Sequence, residues 1–157
     1  METTSTKPAI IVVASLAIKM TKPLITVLLP TRKRTAMVKK SISTILELAT
    51  DPSRIHIAVA YDSDDAESET YFTSNEWKSL VENTSATQEV HEINRLGWTA
   101  LHEYYNFLAT NIDSEWYFIW NDDAFMQTQG WDQEIWENKN YNSLISMESN
   151  GKRPDST

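Results

Sequence analysis

Two adjacent carboxylates, Asp122 and Asp123, follow Asn121 directly after an aromatic and aliphatic run, Trp116-Tyr117-Phe118-Ile119-Trp120. Neighbouring carboxylates repel each other. A divalent metal relieves that repulsion, because hard cations take oxygen ligands. The same residues also suit an exposed turn after a core strand, since Asn and Asp side chains hydrogen-bond their own backbone. Taken locally, both readings stand. A cluster of opposite sign, Thr31-Arg32-Lys33-Arg34-Thr35, packs three cations into five residues of a chain whose net charge is -8. Running against the global sign, it suits an anion or nucleotide contact, with a solvated loop as the plain alternative. A third polar group, Asp62-Ser63-Asp64-Asp65, closes another apolar run.

The elements that must position these groups follow from hydrophobic spacing. Leu24 to Leu29 has almost no polar alternation and reads as a strand buried on both faces, ended by Pro30-Thr31; such strands belong to parallel sheets. Val38, Ile42, Ile45, Leu46 and Ala49 form a helical stripe over 35–50, stopped by Asp51-Pro52. Ile55 to Ala60 is a second strand ending in Tyr61-Asp62. Strand, helix, strand at this spacing is a βαβ unit with parallel strands, which places Asp62 on the same sheet edge as Thr31. Ligands of open α/β sheets bind at that edge.

Residues 66–83 read as polar with scattered aromatics, with a helix starting at Ser74-Asn75-Glu76-Trp77. Gln88 to Ile93 alternates like an edge strand, Asn94 to Gly97 turns, and 99–111 is a helix with Leu101, Tyr104, Tyr105 and Leu108 on one face. Trp116 to Trp120 reads as a buried strand, a short helix runs from Gly130-Trp131 to about residue 139, and 144–147 is a last strand candidate. The fold class expected is α/β, a mostly parallel Rossmann-like sheet with helices on both faces. The expected organisation is an N-terminal extension over 1–22, with Met20 a possible start, one domain over 23–147 and a polar tail over 148–157.

Bulk properties narrow the function. The 157 residues contain no cysteine, which removes thiolate chemistry and Cys-based zinc sites and fits a reducing, cytoplasmic setting. An acidic chain is a poor nucleic-acid binder. The eleven-residue apolar run Pro8 to Ile18 is too short for a membrane span, which takes about 20 residues. With only Gly97, Gly130 and Gly151, there is no glycine-rich phosphate loop. His91 and His102 stand alone and read as structural or surface residues.

In their order, these landmarks resemble the nucleotide-binding half of the GT-A glycosyltransferases, closest to the family-2-like branch. The resemblance rests on Leu28-Leu29-Pro30-Thr31-Arg32-Lys33-Arg34, on Val59 to Asp65, on Asn94 to Gly97 with the helix residue Asn106, and on Asn121-Asp122-Asp123. Asn106 and Asn121 are fifteen positions apart, as in that family. It spans residues 24–140 and implies a nucleotide-diphosphate sugar donor, a divalent Mn²⁺ or Mg²⁺ ion and an acceptor that is a glycan, lipid or protein. It implies Asp123 as the metal residue, with Asp122 supporting the metal or the sugar and ribose hydroxyls. Asn121 replaces the first Asp of the usual motif. Asp62 is implied as acceptor for base or ribose, and Pro30, Thr31, Arg34 and Asn106 as further donor contacts. Tyr105 stands where the family often has Arg.

The family's general base comes from a segment well beyond the acidic triplet. Asp132, Glu134 and Glu137 come too soon for that role, so no base is assigned and a truncated or minimal enzyme is expected. A binding-only relative and a nucleotidyltransferase are the alternatives. Trp131 and Trp98 each read either as a core anchor or as a ring that stacks on a sugar.

Overall fold

The computed structural model describes residues 25–137. The expected extension over 1–22, the strand candidate at 144–147 and the tail over 148–157 lie outside the described residues. Strands β1 (Ile25–Thr31), β2 (Ile55–Asp62), β3 (Thr87–Ile93) and β4 (Trp116–Ile119) form one sheet in the order β3-β2-β1-β4, and every pairing is parallel. Helices α1 (Thr35–Glu47), α2 (Ala66–Phe72), α3 (Asn75–Glu82), α4 (Leu101–Asn111) and α5 (Trp131–Glu137) surround it. The expected α/β class with helices on both faces is the observed one.

Period-two alternation divides the core. Ile25, Val27 and Leu29 of β1 and Ile55, Ile57 and Val59 of β2 pack with Val38, Ile42, Ile45 and Leu46 of α1, Trp77 and Val81 of α3, and Trp131 and Ile135 of α5. On the other face Leu28, Ala58 and Ala60 meet Tyr104 and Leu108 of α4. The two alanines leave room for the helix to approach.

Two expectations are corrected. The region 66–83 holds a helix before Ser74, because Asp65 caps α2 by accepting from the Ser68 amide at 3.2 Å, while Glu67 and Glu69 sit favourably in its first turn. β4, expected as a buried strand, is an outer strand open on one face. Trp116 and Phe118 pack on the larger core, but Tyr117 and Ile119 on the opposite face are exposed, Ile119 by 63%. The α4 side chains reach over β1 and β2 instead. Leu101, expected on the inner face of α4, is also exposed.

β1 runs on through Pro30 to Thr31, beyond the expected end. Its ladder to β4 shows why proline is tolerated there. Trp120 donates its amide to Leu28 O at 3.1 Å, and the next bond of the parallel pattern would come from the N–H of residue 30 to Trp120 O. Proline has no N–H. The Tyr105 hydroxyl lies 3.2 Å from that carbonyl and supplies the donor. The chain is thereby free to leave the sheet after Trp120.

Candidate functional site

Three strand ends meet at the carboxyl edge. Register places Thr31 opposite Tyr61, so the ends of β1 and β2 are level, and the chain after β4 turns beside them. Residues 121–124 close a turn through Ala124 N to Asn121 O at 3.1 Å. The turn reading of the acidic triplet is therefore correct, and the turn also directs the carboxylates. Asp122 Oδ2 accepts from Thr31 Oγ1 at 2.8 Å, and Asp122 Oδ1 accepts from Arg34 Nη1 at 3.1 Å. The same Arg34 nitrogen lies 3.3 Å from Asp123 Oδ2. One guanidinium thus stands between both carboxylates. The Asp122 charge, foremost, raises the Arg34 pKa above its already high value.

The turn is seated from below by α1. Trp120 Nε1 donates to Ser41 Oγ at 2.8 Å, Ser41 Oγ donates to Ala124 O at 2.6 Å, and Met126 N donates to Thr44 Oγ1 at 2.9 Å. Trp131 is fully buried, stacks on Phe118 at 5.2 Å and donates its indole N–H to Ile45 O at 2.9 Å. Its core-anchor reading is the observed one. Asp132 is buried beside it and accepts from the Thr50 and Asp51 amides at 2.7 and 2.8 Å, so its carboxylate is committed to the α1 end. Trp98 is the opposite case, 87% exposed on the turn before α4.

Asp62 lies on the other side of the first loop and is buried. Arg32 Nη1 donates to Asp62 Oδ2 at 2.9 Å, and Arg32 also grips Asp64, with Nη2 3.1 Å from Oδ2. That hydrogen bond holds the Asp64 pKa below the ordinary carboxylate value. Tyr104 donates its hydroxyl to Asp62 Oδ1 and accepts from the Leu96 amide at 3.0 Å. Lys33 sits at φ +53° and donates its amide to Asp65 Oδ2 at 2.7 Å, a contact that helps hold a left-handed conformation in a non-glycine residue. Burial alone would raise the pKa of Asp65, but the hydrogen bonds from Ser68 and Lys33 outweigh it and the net shift is downward.

Tyr105 reaches Asn121 Oδ1 at 3.2 Å as well as Trp120 O. Burial, then the charge of Asp122, pushes its pKa up to about 12. Burial likewise raises Tyr104, with its bond to Asp62 adding to the shift. Both phenols therefore remain protonated donors at neutral pH.

Of the residues picked out from sequence, Pro30, Thr31, Arg34, Asn121, Asp122 and Asp123 come together at one place. Asp62 lies across the loop from them. Asn106 is exposed on α4, its carbonyl taking the Thr110 hydroxyl, and it is the preceding Tyr105 that meets Asn121. Sequence reasoning did not assign roles to Arg32, Ser41 or the Tyr104 hydroxyl. Ser41 carried a signal, since it falls at helical spacing between Val38 and Ile45, where an apolar residue is the norm. Among the described residues, no group of three or more His, Asp or Glu side chains is arranged to hold a metal ion. No described helix is long and apolar enough to cross a membrane.

No family model and no curated protein matches this sequence. Among solved structures, the mannosyltransferase PcManGT from Pyrobaculum calidifontis, in complex with GDP-Man and Mn²⁺, is similar, with a TM-score of 0.55 and 15% identity over 70% of this chain and 30% of that one. The likeness is one of fold, and this chain matches less than a third of that enzyme's length.

Proposed function

We propose that the carboxyl edge of this sheet binds a nucleotide-diphosphate sugar together with a divalent cation, in the manner of GT-A glycosyltransferases, and serves transfer of the sugar to an acceptor. The observation that carries this reading is the convergence of Thr31, Arg34, Asp122 and Asp123 within 2.8–3.3 Å contacts, beside the buried Asp62. It stands on a fold similar to that of an enzyme solved with GDP-Man and Mn²⁺.

The residues present fit a metal of the Mn²⁺ or Mg²⁺ kind. Asp122 and Asp123 already share one cationic group, the Arg34 guanidinium, so their oxygens face a common point. Two protein carboxylates are enough for an ion that takes its other ligands from water and substrate phosphates. When bound, such an ion neutralises the charge that develops on a diphosphate leaving group. Asp123 is the more exposed of the pair and the residue assigned to the metal. Asp122 is held by Thr31 and supports it. Asp62 accepts from the ribose or base, oriented by Arg32 and Tyr104. Arg34 serves the diphosphate, as does the polar edge of Pro30-Thr31, and Tyr105 fixes Asn121 so that its amide meets a sugar or ribose hydroxyl.

Calorimetric titration with GDP- and UDP-sugars, with and without Mn²⁺, tests the binding. An assay of donor hydrolysis and transfer tests turnover. Metal-dependent binding with release of the nucleoside diphosphate supports the full reading. Binding without release assigns the domain to donor capture alone, and no binding of either donor overturns the proposal.

A further inference from the structure

We propose that Arg34 is an internal counter-ion that a metal must displace from Asp122 and Asp123, and that the diphosphate is what draws it away, so that metal and nucleotide bind as a coupled pair. This rests on the metal-diphosphate reading of the site and adds a rule for how the site fills.

The geometry is specific. A single Arg34 nitrogen, Nη1, reaches Asp122 Oδ1 at 3.1 Å and Asp123 Oδ2 at 3.3 Å. Asp122 has its second oxygen on Thr31 Oγ1 at 2.8 Å. A divalent ion taking oxygens from both carboxylates therefore meets a positive charge already between them. Like charges at such separation repel strongly, and the carboxylate lone pairs serve one cation or the other. A bare metal ion must overcome this without help. A metal–diphosphate complex brings phosphate oxygens, which a guanidinium binds at least as well as it binds carboxylates.

Arg34 is free to make the exchange. Its side chain is 54% exposed, and among the described residues its side-chain hydrogen bonds go to the two carboxylates it would leave. Arg32, two residues earlier, differs. It is anchored by Asp62 and by both oxygens of Asp64, so it stays on the nucleoside side while Arg34 moves. Linkage makes the coupling reciprocal: whatever factor the nucleotide adds to metal affinity, the metal adds to nucleotide affinity.

The test is Mn²⁺ binding followed by the EPR signal of the free ion, with and without saturating GDP or UDP, in wild type, Arg34→Gln and Asp123→Asn. In wild type, nucleotide should tighten Mn²⁺ by at least about tenfold, within the usual range of site–site coupling. Arg34→Gln should bind Mn²⁺ alone about tenfold more tightly than wild type and show a smaller nucleotide-induced gain, the part that remains coming from phosphate oxygens on the ion itself. Asp123→Asn should lose Mn²⁺ in both conditions. If Asp123→Asn loses Mn²⁺ but Arg34→Gln binds it alone no better than wild type, the metal site stands and the counter-ion role falls. If Mn²⁺ binding is indifferent to Asp123→Asn, the metal reading fails and this proposal fails with it. Far-UV circular dichroism checks that both variants are folded, as expected for substitutions at exposed positions.

Discussion

The Tyr104 hydroxyl donates to Asp62 Oδ1 and so joins the first turn of α4 to the end of β2. The phenol oxygen also accepts from the Leu96 amide at 3.0 Å, so one side chain also fixes the 94–97 turn. We predict that Tyr104→Phe costs about 1 kcal/mol of stability, the usual net value of a hydrogen bond, plus the penalty of a buried carboxylate oxygen left short of a donor. Nucleotide affinity should fall with it, because Asp62 loses its orientation. Chemical denaturation and calorimetry on the same protein measure both; a variant with unchanged nucleotide affinity removes Asp62 from the nucleotide contacts.

Trp131 and the acidic turn are linked through packing. The indole lies against Phe118 of β4 and bonds Ile45 of α1, the helix that seats residues 120–126. Trp131→Ala should cost about 3–5 kcal/mol, the range for deleting a large buried aromatic ring. Urea unfolding gives the value directly. A loss below about 1 kcal/mol would mean that the ring is not the anchor described.

Trp98 should behave in the opposite way. With the ring almost fully in solvent, Trp98→Ala should leave stability within about 0.5 kcal/mol of wild type. If the ring stacks on the donor, affinity should drop about two- to tenfold, the scale of a single aromatic contact. Unchanged donor affinity would exclude Trp98 from the site.

Asp65 links stability to pH. Its pKa is lowered in the folded protein by the Ser68 and Lys33 hydrogen bonds, which outweigh burial. The sign follows: its contribution is fully present above the unfolded carboxylate value of about 4 and is lost as pH falls through the lower, folded value. Melting curves of wild type and Asp65→Asn from about pH 2 to 6 should therefore differ by a constant amount above about pH 5 and converge below about pH 4. A difference that persists unchanged at the acid end would contradict the assignment.

The strands and the α1 stripe were legible because their periodicities are long and unbroken. β1 and β2 are continuous apolar runs, as buried parallel strands must be, and their βαβ spacing put Asp62 and Thr31 on one edge. β4 is less buried than its composition suggests, because Tyr117 and Ile119 are apolar in sequence yet exposed, and no pattern in the chain says that α4 stops short of them. α2 was missed because its seven residues are mostly polar and its start depends on one capping carboxylate, Asp65. The acidic triplet was visible as chemistry, and Thr31 and Arg34 were expected in the same site. Their direct hydrogen bonds to Asp122 were not legible, since they lie about 90 positions earlier and only the register of the sheet sets those contacts. The Pro30–Trp120–Tyr105 arrangement was hidden for the same reason: it is a property of strand alignment rather than of any one segment.

Asp123 carries the central claim, and its side chain is half exposed within a turn that other residues hold in place. The decisive measurement is calorimetric titration of GDP or UDP into wild type and Asp123→Ala, each with and without Mn²⁺, alongside their melting temperatures. The account predicts Mn²⁺-dependent nucleotide binding in wild type, its loss in Asp123→Ala and a nearly unchanged melting temperature. Equal Mn²⁺-dependent binding in both proteins would contradict it.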